Sequence, residues 1–246
     1  MTTWILLRGL TRETRHWHAF PQLLARDQPD VRVIPLELPG NGALNGLTSP
    51  ASIEGMASHC RREMTRLGVL PPYRVLAMSM GAMVATAWAG SYPEEVEACV
   101  LINTSFGAFS PVHQRFRPRA WQALFRYLFT RSMAQREGLI FDLTSRTVDP
   151  RPAVIAEWTA IRRCRPVSAW NALRQLVAAA RYRAPARAPV PTLVLASAGD
   201  RLVNPCCSME IARRWKCACR IHPTAGHDLP LDDGVWVVRQ VDEWLA

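Results

Sequence analysis

Six short apolar runs with amphipathic stretches between them constrain the fold more than any other feature of this chain. They are TTWILLRG (2–9), VRVIPLELPG (31–40), YRVLAMS (73–79), VEACVLINTS (96–105), PTLVLASAGD (191–200) and CRIHPTAG (219–226). Each is apolar almost throughout instead of alternating, as strands are when both faces of a parallel sheet are covered. Helical patterns over 15–25, 52–67, 79–91, 205–216 and 234–245 supply the covering layers. Strand–helix alternation predicts a doubly wound α/β fold with a mostly parallel sheet of about six strands.

The alternation breaks once. Residues 106–188 hold no good strand but carry helical patterns over 119–129, 133–143, 152–163 and 168–182, closed by RYRAPARAPVP. We read this segment as a helical lid inserted between core halves 1–105 and 189–246. It also holds the charge: 15 arginines against four acids, Glu137, Asp142, Asp149 and Glu157, in a chain whose net charge is +10. The remainder is therefore almost neutral. Such a segment is a solvated arginine face, a surface for an acidic partner, or, as the weakest reading, a nucleic-acid site, since its apolar spacing is helical.

At 246 residues and 49% hydrophobic, the chain can bury one sizeable core. Nothing approaches eighteen consecutive apolar residues, so no transmembrane helix is expected. MTTWILLRGL lacks the basic region of a signal peptide, which makes a cytoplasmic protein the expectation. Seven scattered cysteines, with no Cys-x-x-Cys and no zinc-type Cys/His spacing, point to free thiols and to no metal.

Chemistry enters at RVLAMSMGAMVATAWAG (74–90), where Ser79 separates an apolar strand from an apolar helix. One reading is an N-cap on an ordinary βα turn. The other is a nucleophile elbow, which needs small residues two positions away, as Ala77 and Gly81 are. A serine nucleophile needs a base, and the base an orienting acid. His227 alone lies in a loop after the last strand; His222 sits within the strand pattern, and His16, His18, His59 and His113 fall on helical or lid surfaces. Asp200 ends the preceding strand. Ser79, Asp200 and His227, each after its own strand, stand in the chain order of a hydrolytic triad.

On these residues the chain resembles the α/β-hydrolase superfamily, the small serine esterases and carrier-protein methyl-ester esterases in particular. LLRGLTRETRHW (6–17) is similar to the family's oxyanion strand and loop, and LELPGNG (36–42) to its Asp-x-Pro-Gly-x-Gly turn. Three residues depart from the pattern: Arg8 stands for the usual histidine, Glu37 for the usual aspartate and Ala77 for the first elbow glycine. The family's first two strands have no counterpart. The resemblance implies Ser79 as nucleophile, His227 as base, Asp200 as its partner, and backbone N–H groups of Leu10 and Met80 as the oxyanion hole.

That assignment implies cleavage of a carboxylic ester or acyl thioester with no cofactor. A lyase or haloperoxidase-like chemistry, or a non-catalytic binding role, is the alternative on the same fold. Trp121, Phe125, Phe129, Trp158 and Trp170 of the lid, with Met78 beside the nucleophile, either wall an acyl pocket or pack the lid onto the core. Arg8 would bring positive charge near the acyl group. The arginines between 115 and 187 would suit an acidic acyl carrier protein.

Overall fold

The structure, a computed structural model, describes residues 2–26, 30–146 and 151–246. Asp149, one of the four acids of segment 106–188, lies outside them. The strands are β1 (Thr2–Leu7), β2 (Val31–Leu36), β3 (Tyr73–Met78), β4 (Val96–Ile102), β5 (Thr192–Ser197) and β6 (Ala218–His222). They form one sheet in the order β2-β1-β3-β4-β5-β6, and every pairing is parallel. The expected doubly wound α/β architecture with about six parallel strands is therefore what the chain forms.

The helices of the core are α1 (Phe20–Leu24), α2 (Ile53–Arg66), α3 (Met80–Ser91), α9 (Cys206–Trp215) and α10 (Leu229–Leu245). Side chains leave a strand alternately to its two faces, so the apolar runs feed two separate cores. On one face Ile5, Leu7, Val75, Ala77, Cys99, Leu101 and Val194 pack beneath α2, α3 and α9. On the other, Trp4, Leu6, Leu76, Met78, Val100, Ile102 and Leu195 meet Phe20 and Leu24 of α1 and Val237 and Val241 of α10. Helix α3 is apolar all round because it is buried from Met80 to Ala89.

Between β4 and β5 the chain forms α4 (Val112–Arg115), α5 (Pro118–Phe129), α6 (Met133–Thr144), α7 (Arg151–Cys164) and α8 (Ala169–Arg181), with no strand among the described residues. Serine caps set the starts: Ser132 accepts from Gln135 N at α6, and Ser168 accepts from Asn171 N at α8. Phe141, Val154, Trp158 and Ile161 give this segment a small core of its own.

Two spans differ from the sequence reading. Residues 15–25 form two short helical turns, because His18 has a positive φ and breaks the helix between Trp17 and Phe20. Helix α10 starts five residues before 234, with Pro230 in its first turn and a non-helical Asp233 within it.

Candidate active site

Strand β3 ends at Met78 and α3 begins at Met80, so Ser79 makes the whole turn. Its φ of 54° and ψ of −121° lie in a region that costs a non-glycine residue about 1–3 kcal/mol. The surroundings impose that conformation. Ser79 N donates to Ile102 O at 2.9 Å, and Thr104 Oγ1 donates to Ser79 O at 2.8 Å. The Ser79 side chain does not cap α3, which removes the N-cap reading. It is partly exposed, and its Oγ has no hydrogen-bond partner among the described residues.

The small residues around the turn have a steric cause. A Cβ on Gly81 would lie 2.5 Å from Leu7 O and 2.6 Å from Arg8 O, and one on Gly9 would lie 3.0 Å from Ser79 Cβ. The loop after β1 is thus pressed against the elbow, with Gly9, the residue before Leu10, packed against Ser79. Thr11 follows at a positive φ, its N–H bonded at 2.9 Å to Oε1 of Gln175 on α8. The N–H groups of Leu10 and Met80 donate no hydrogen bond among the described residues.

His227 and Asp200 meet directly. Both are buried, and His227 Nδ1 lies 2.7 Å from Asp200 Oδ2. The other oxygen, Oδ1, accepts from Leu202 N at 2.8 Å and Val203 N at 2.9 Å, which fixes the carboxylate plane. Donation from Nδ1–H to Asp200 leaves Nε2 as the proton acceptor. Ser79, Asp200 and His227 all lie past C-terminal strand ends on one edge of the sheet, the usual ligand edge of an open parallel sheet.

Two adjacent residues after β4 join these pieces, and neither was expected from sequence. Thr104 holds the Ser79 carbonyl, as above. Asn103, buried at a positive φ, donates through Nδ2 to His227 O at 2.9 Å and Gly226 O at 3.2 Å, and accepts from Ser197 N at 2.8 Å. An asparagine directly after an apolar strand, tolerant of positive φ, was the available signal.

A model of the alpha/beta hydrolase family matches residues 4–240. The chain belongs to the alpha/beta hydrolase family. No curated protein matches it significantly. Among solved structures it resembles a thermophilic esterase from Thermogutta terrifontis at 22% identity and TM-score 0.74, covering 100% of this chain and 89% of that one. The enol-lactonase of Burkholderia xenovorans LB400 is similar at 19% identity and TM-score 0.77, covering 99% and 91%. BpoC of Mycobacterium tuberculosis H37Rv, described as a candidate non-heme bromoperoxidase, stands at 21% and 0.77, covering 100% and 92%. At these identities the likeness is one of fold.

Where this hydrolase-family chain departs from the family pattern, its structure shows the consequence. Arg8 is buried and forms a two-pronged pair with Asp228, Nη1 to Oδ1 at 3.0 Å and Nη2 to Oδ2 at 2.5 Å, and it stacks on Trp17. Its charge is thereby neutralised inside the protein, so the expected free positive charge at the acyl group is absent. Burial alone would raise the Asp228 carboxyl; the charge and hydrogen bonds of Arg8, with Arg12, outweigh it and hold the group below its ordinary value. Glu37 Oε1 accepts from Thr14 Oγ1 at 2.9 Å, tying the turn after β2 to the loop after β1.

His16 is not a surface residue. It is buried between Glu13 and Arg12, whose Nη1 lies 2.9 Å from Nε2, and its ring lies 6.0 Å from Trp158. Burial, then the charges of Arg12 and Arg8, push its pKa well below the ordinary histidine value. Nδ1 meets the Glu13 backbone, accepting from its N–H at 3.1 Å and lying 3.3 Å from its carbonyl oxygen. His222 is structural, with Nδ1 accepting from Ala225 N at 2.9 Å and Nε2 3.2 Å from Asp233 Oδ2.

The candidate pocket residues part company. Trp158 is fully buried, donates to His18 Nε2 at 3.1 Å and carries Arg12 over its ring. Met78 lies in the core beneath the sheet. Trp121, Phe125, Phe129 and Trp170 are exposed, and Trp121 and Phe125 line an open surface concavity with Gln122 and Arg126. Of the arginines, Arg115 donates to Ala179 O at 2.9 Å and Arg117 to Asp200 O at 2.6 Å, so both serve the interior.

Proposed function

We propose that the protein is a serine hydrolase that cleaves a carboxylic ester or acyl thioester through an acyl-enzyme on Ser79. The observation that carries this reading is the pairing of the strained, uncapped Ser79 with a buried His227–Asp200 hydrogen bond of 2.7 Å on the same edge of the sheet. An ordinary βα turn has no use for either.

In this mechanism His227 Nε2 takes the Ser79 Oγ proton as Oγ attacks the acyl carbon, and Asp200 stabilises the imidazolium through Nδ1–H. Contact between Oγ and Nε2 closes on substrate binding, when catalytic hydrogen bonds commonly tighten. The tetrahedral oxyanion takes the Leu10 and Met80 N–H groups, whose lack of other partners supports that role. Proton return from His227 expels the alcohol or thiol, and water drawn by the same base releases the acid. No cofactor enters.

The helical insertion acts as a lid over this edge in the same proposal, held by the Thr11–Gln175 bond. The comparisons do not favour delivery on an acidic carrier protein, and a free ester or thioester is the substrate class carried forward. Labelling of Ser79 by a fluorophosphonate probe, together with turnover across short- to medium-chain esters and acyl thioesters, tests the reading. Labelling without turnover would move the assignment to lyase or haloperoxidase-like chemistry, and no labelling would move it to a binding role.

A further inference from the structure

Helix α5 presents its apolar face outward. Along PRAWQALFRYLF, Ala120 alone is buried, whereas Trp121, Phe125, Leu128 and Phe129 are 54%, 63%, 64% and 73% exposed. At 100° per residue these side chains and Leu124 form one stripe, with Arg119 and Arg126 together toward the opposite side. The inner side of the helix rests on the protein through Ala120 and through Tyr127, which lies under Arg136.

The charge on this surface is uncompensated. Residues 106–136 contain six arginines and no acid. The next acid, Glu137, is buried and already paired to Arg12 and Arg162. Arg115, Arg117 and Arg136 are engaged by the carbonyls of Ala179, Asp200 and Thr130. Arg119, Arg126 and Arg131 are exposed and make no ion pair among the described residues.

We propose that α5 is a membrane-docking surface, its Trp121–Phe125–Leu128–Phe129 stripe seated at the acyl–headgroup boundary of an anionic phospholipid layer and its free arginines on the headgroup phosphates. An amphipathic helix with Trp, Phe and Leu on one face and arginine on the other lies in that interface. Arginine stems are long enough to reach the headgroups from the flank of the helix. An exposed apolar stripe suits fluid lipid, which conforms to whatever shape it meets, whereas a folded partner would have to supply a matching surface. Among the described residues no helix is long and apolar enough to cross a membrane, so the chain would lie on the layer.

Co-sedimentation of the full chain with phosphatidylcholine vesicles, with and without phosphatidylglycerol, tests this. Binding should require phosphatidylglycerol and weaken with salt. Leu128→Glu with Phe129→Glu should lower partitioning at least about tenfold, and Arg119→Gln or Arg126→Gln roughly fivefold each. Because these residues are exposed, the variants should keep the wild-type circular dichroism; independently, vesicles should protect 118–129 from hydrogen exchange in the wild-type chain. Absence of phosphatidylglycerol-dependent binding would overturn the proposal, as would binding that the Leu128/Phe129 variant retains. A wild-type dimer that this variant dissolves, or capture by an acidic carrier protein without vesicle binding, would also overturn it by assigning the stripe another occupant.

Discussion

Arg8 and Asp228, 220 positions apart, close a buried two-pronged ion pair between the loop that carries Leu10 and the loop that carries His227. Asp228 directly follows His227, and Arg8 lies two residues before Leu10. The pair therefore holds the proposed base and one proposed oxyanion donor in register. Removing one member leaves an uncompensated buried charge, which typically costs about 3–5 kcal/mol. Asp228→Asn should lower unfolding stability by that order in urea titration, and Arg8→Met/Asp228→Leu should recover much of it. Equal losses in the single and double variants would show that the pair's charges are not what matters.

Asn103 should act on turnover more than on substrate binding. It holds the His227 and Gly226 carbonyls but lies beneath them, and Asn103→Ala leaves those acceptors unpaired at a strained φ. We expect kcat to fall about 10–100-fold with KM little changed, the size a small misplacement of a catalytic group produces. Steady-state kinetics on any ester the wild type turns over would measure it. A rise in KM at constant kcat would place Asn103 in binding instead.

Gly81 and Ala77 flank the same serine but differ in what they tolerate. A methyl group on Gly81 meets two backbone carbonyls within 2.6 Å, and backbone cannot step aside as a side chain can. Gly81→Ala should cost at least about 2 kcal/mol and displace the elbow. Thermal unfolding compared with Ala77→Gly, which introduces no contact, checks this; a Gly81→Ala variant as stable as wild type would contradict the packing described.

Acid should destabilise the fold through His16. Its folded pKa lies well below its ordinary value because burial and the charges of Arg12 and Arg8 disfavour the imidazolium. The unfolded chain therefore binds the extra proton first, at about pH 6.5. Stability contributed by the neutral ring is complete above that pH and is lost as pH falls toward the folded pKa. His59, held low by partial burial, adds to the same slope. Denaturation at several pH values between 7 and 5 should show the decline, and His16→Gln should flatten it. An unchanged slope in that variant would assign the effect elsewhere.

Much of this was legible in the chain because the runs that form β1, β3, β4 and β5 are apolar almost throughout and are buried on both faces inside the sheet. The edge strands β2 and β6 follow the same alternation with helices. The candidate residues Ser79, Asp200 and His227 stood out because each is a polar residue in the turn or loop that follows a strand. What pattern could not reach were contacts between distant loops. Arg8 read as a stray positive charge because its partner lies at the other end of the chain. His16 read as a surface histidine because helical periodicity across 15–25 hid the break at His18. The stripe on α5 read as a buried or pocket-lining face because amphipathicity marks an apolar side without saying what meets it.

The proposed nucleophile is the most direct point of attack. Ser79→Ala removes one oxygen and no hydrogen bond among the described residues, so the variant should fold with the wild-type melting temperature. Its hydrolysis of the preferred ester should fall by about 10⁴–10⁶, and fluorophosphonate labelling should vanish. A folded Ser79→Ala protein that keeps a tenth of the wild-type rate would contradict the account.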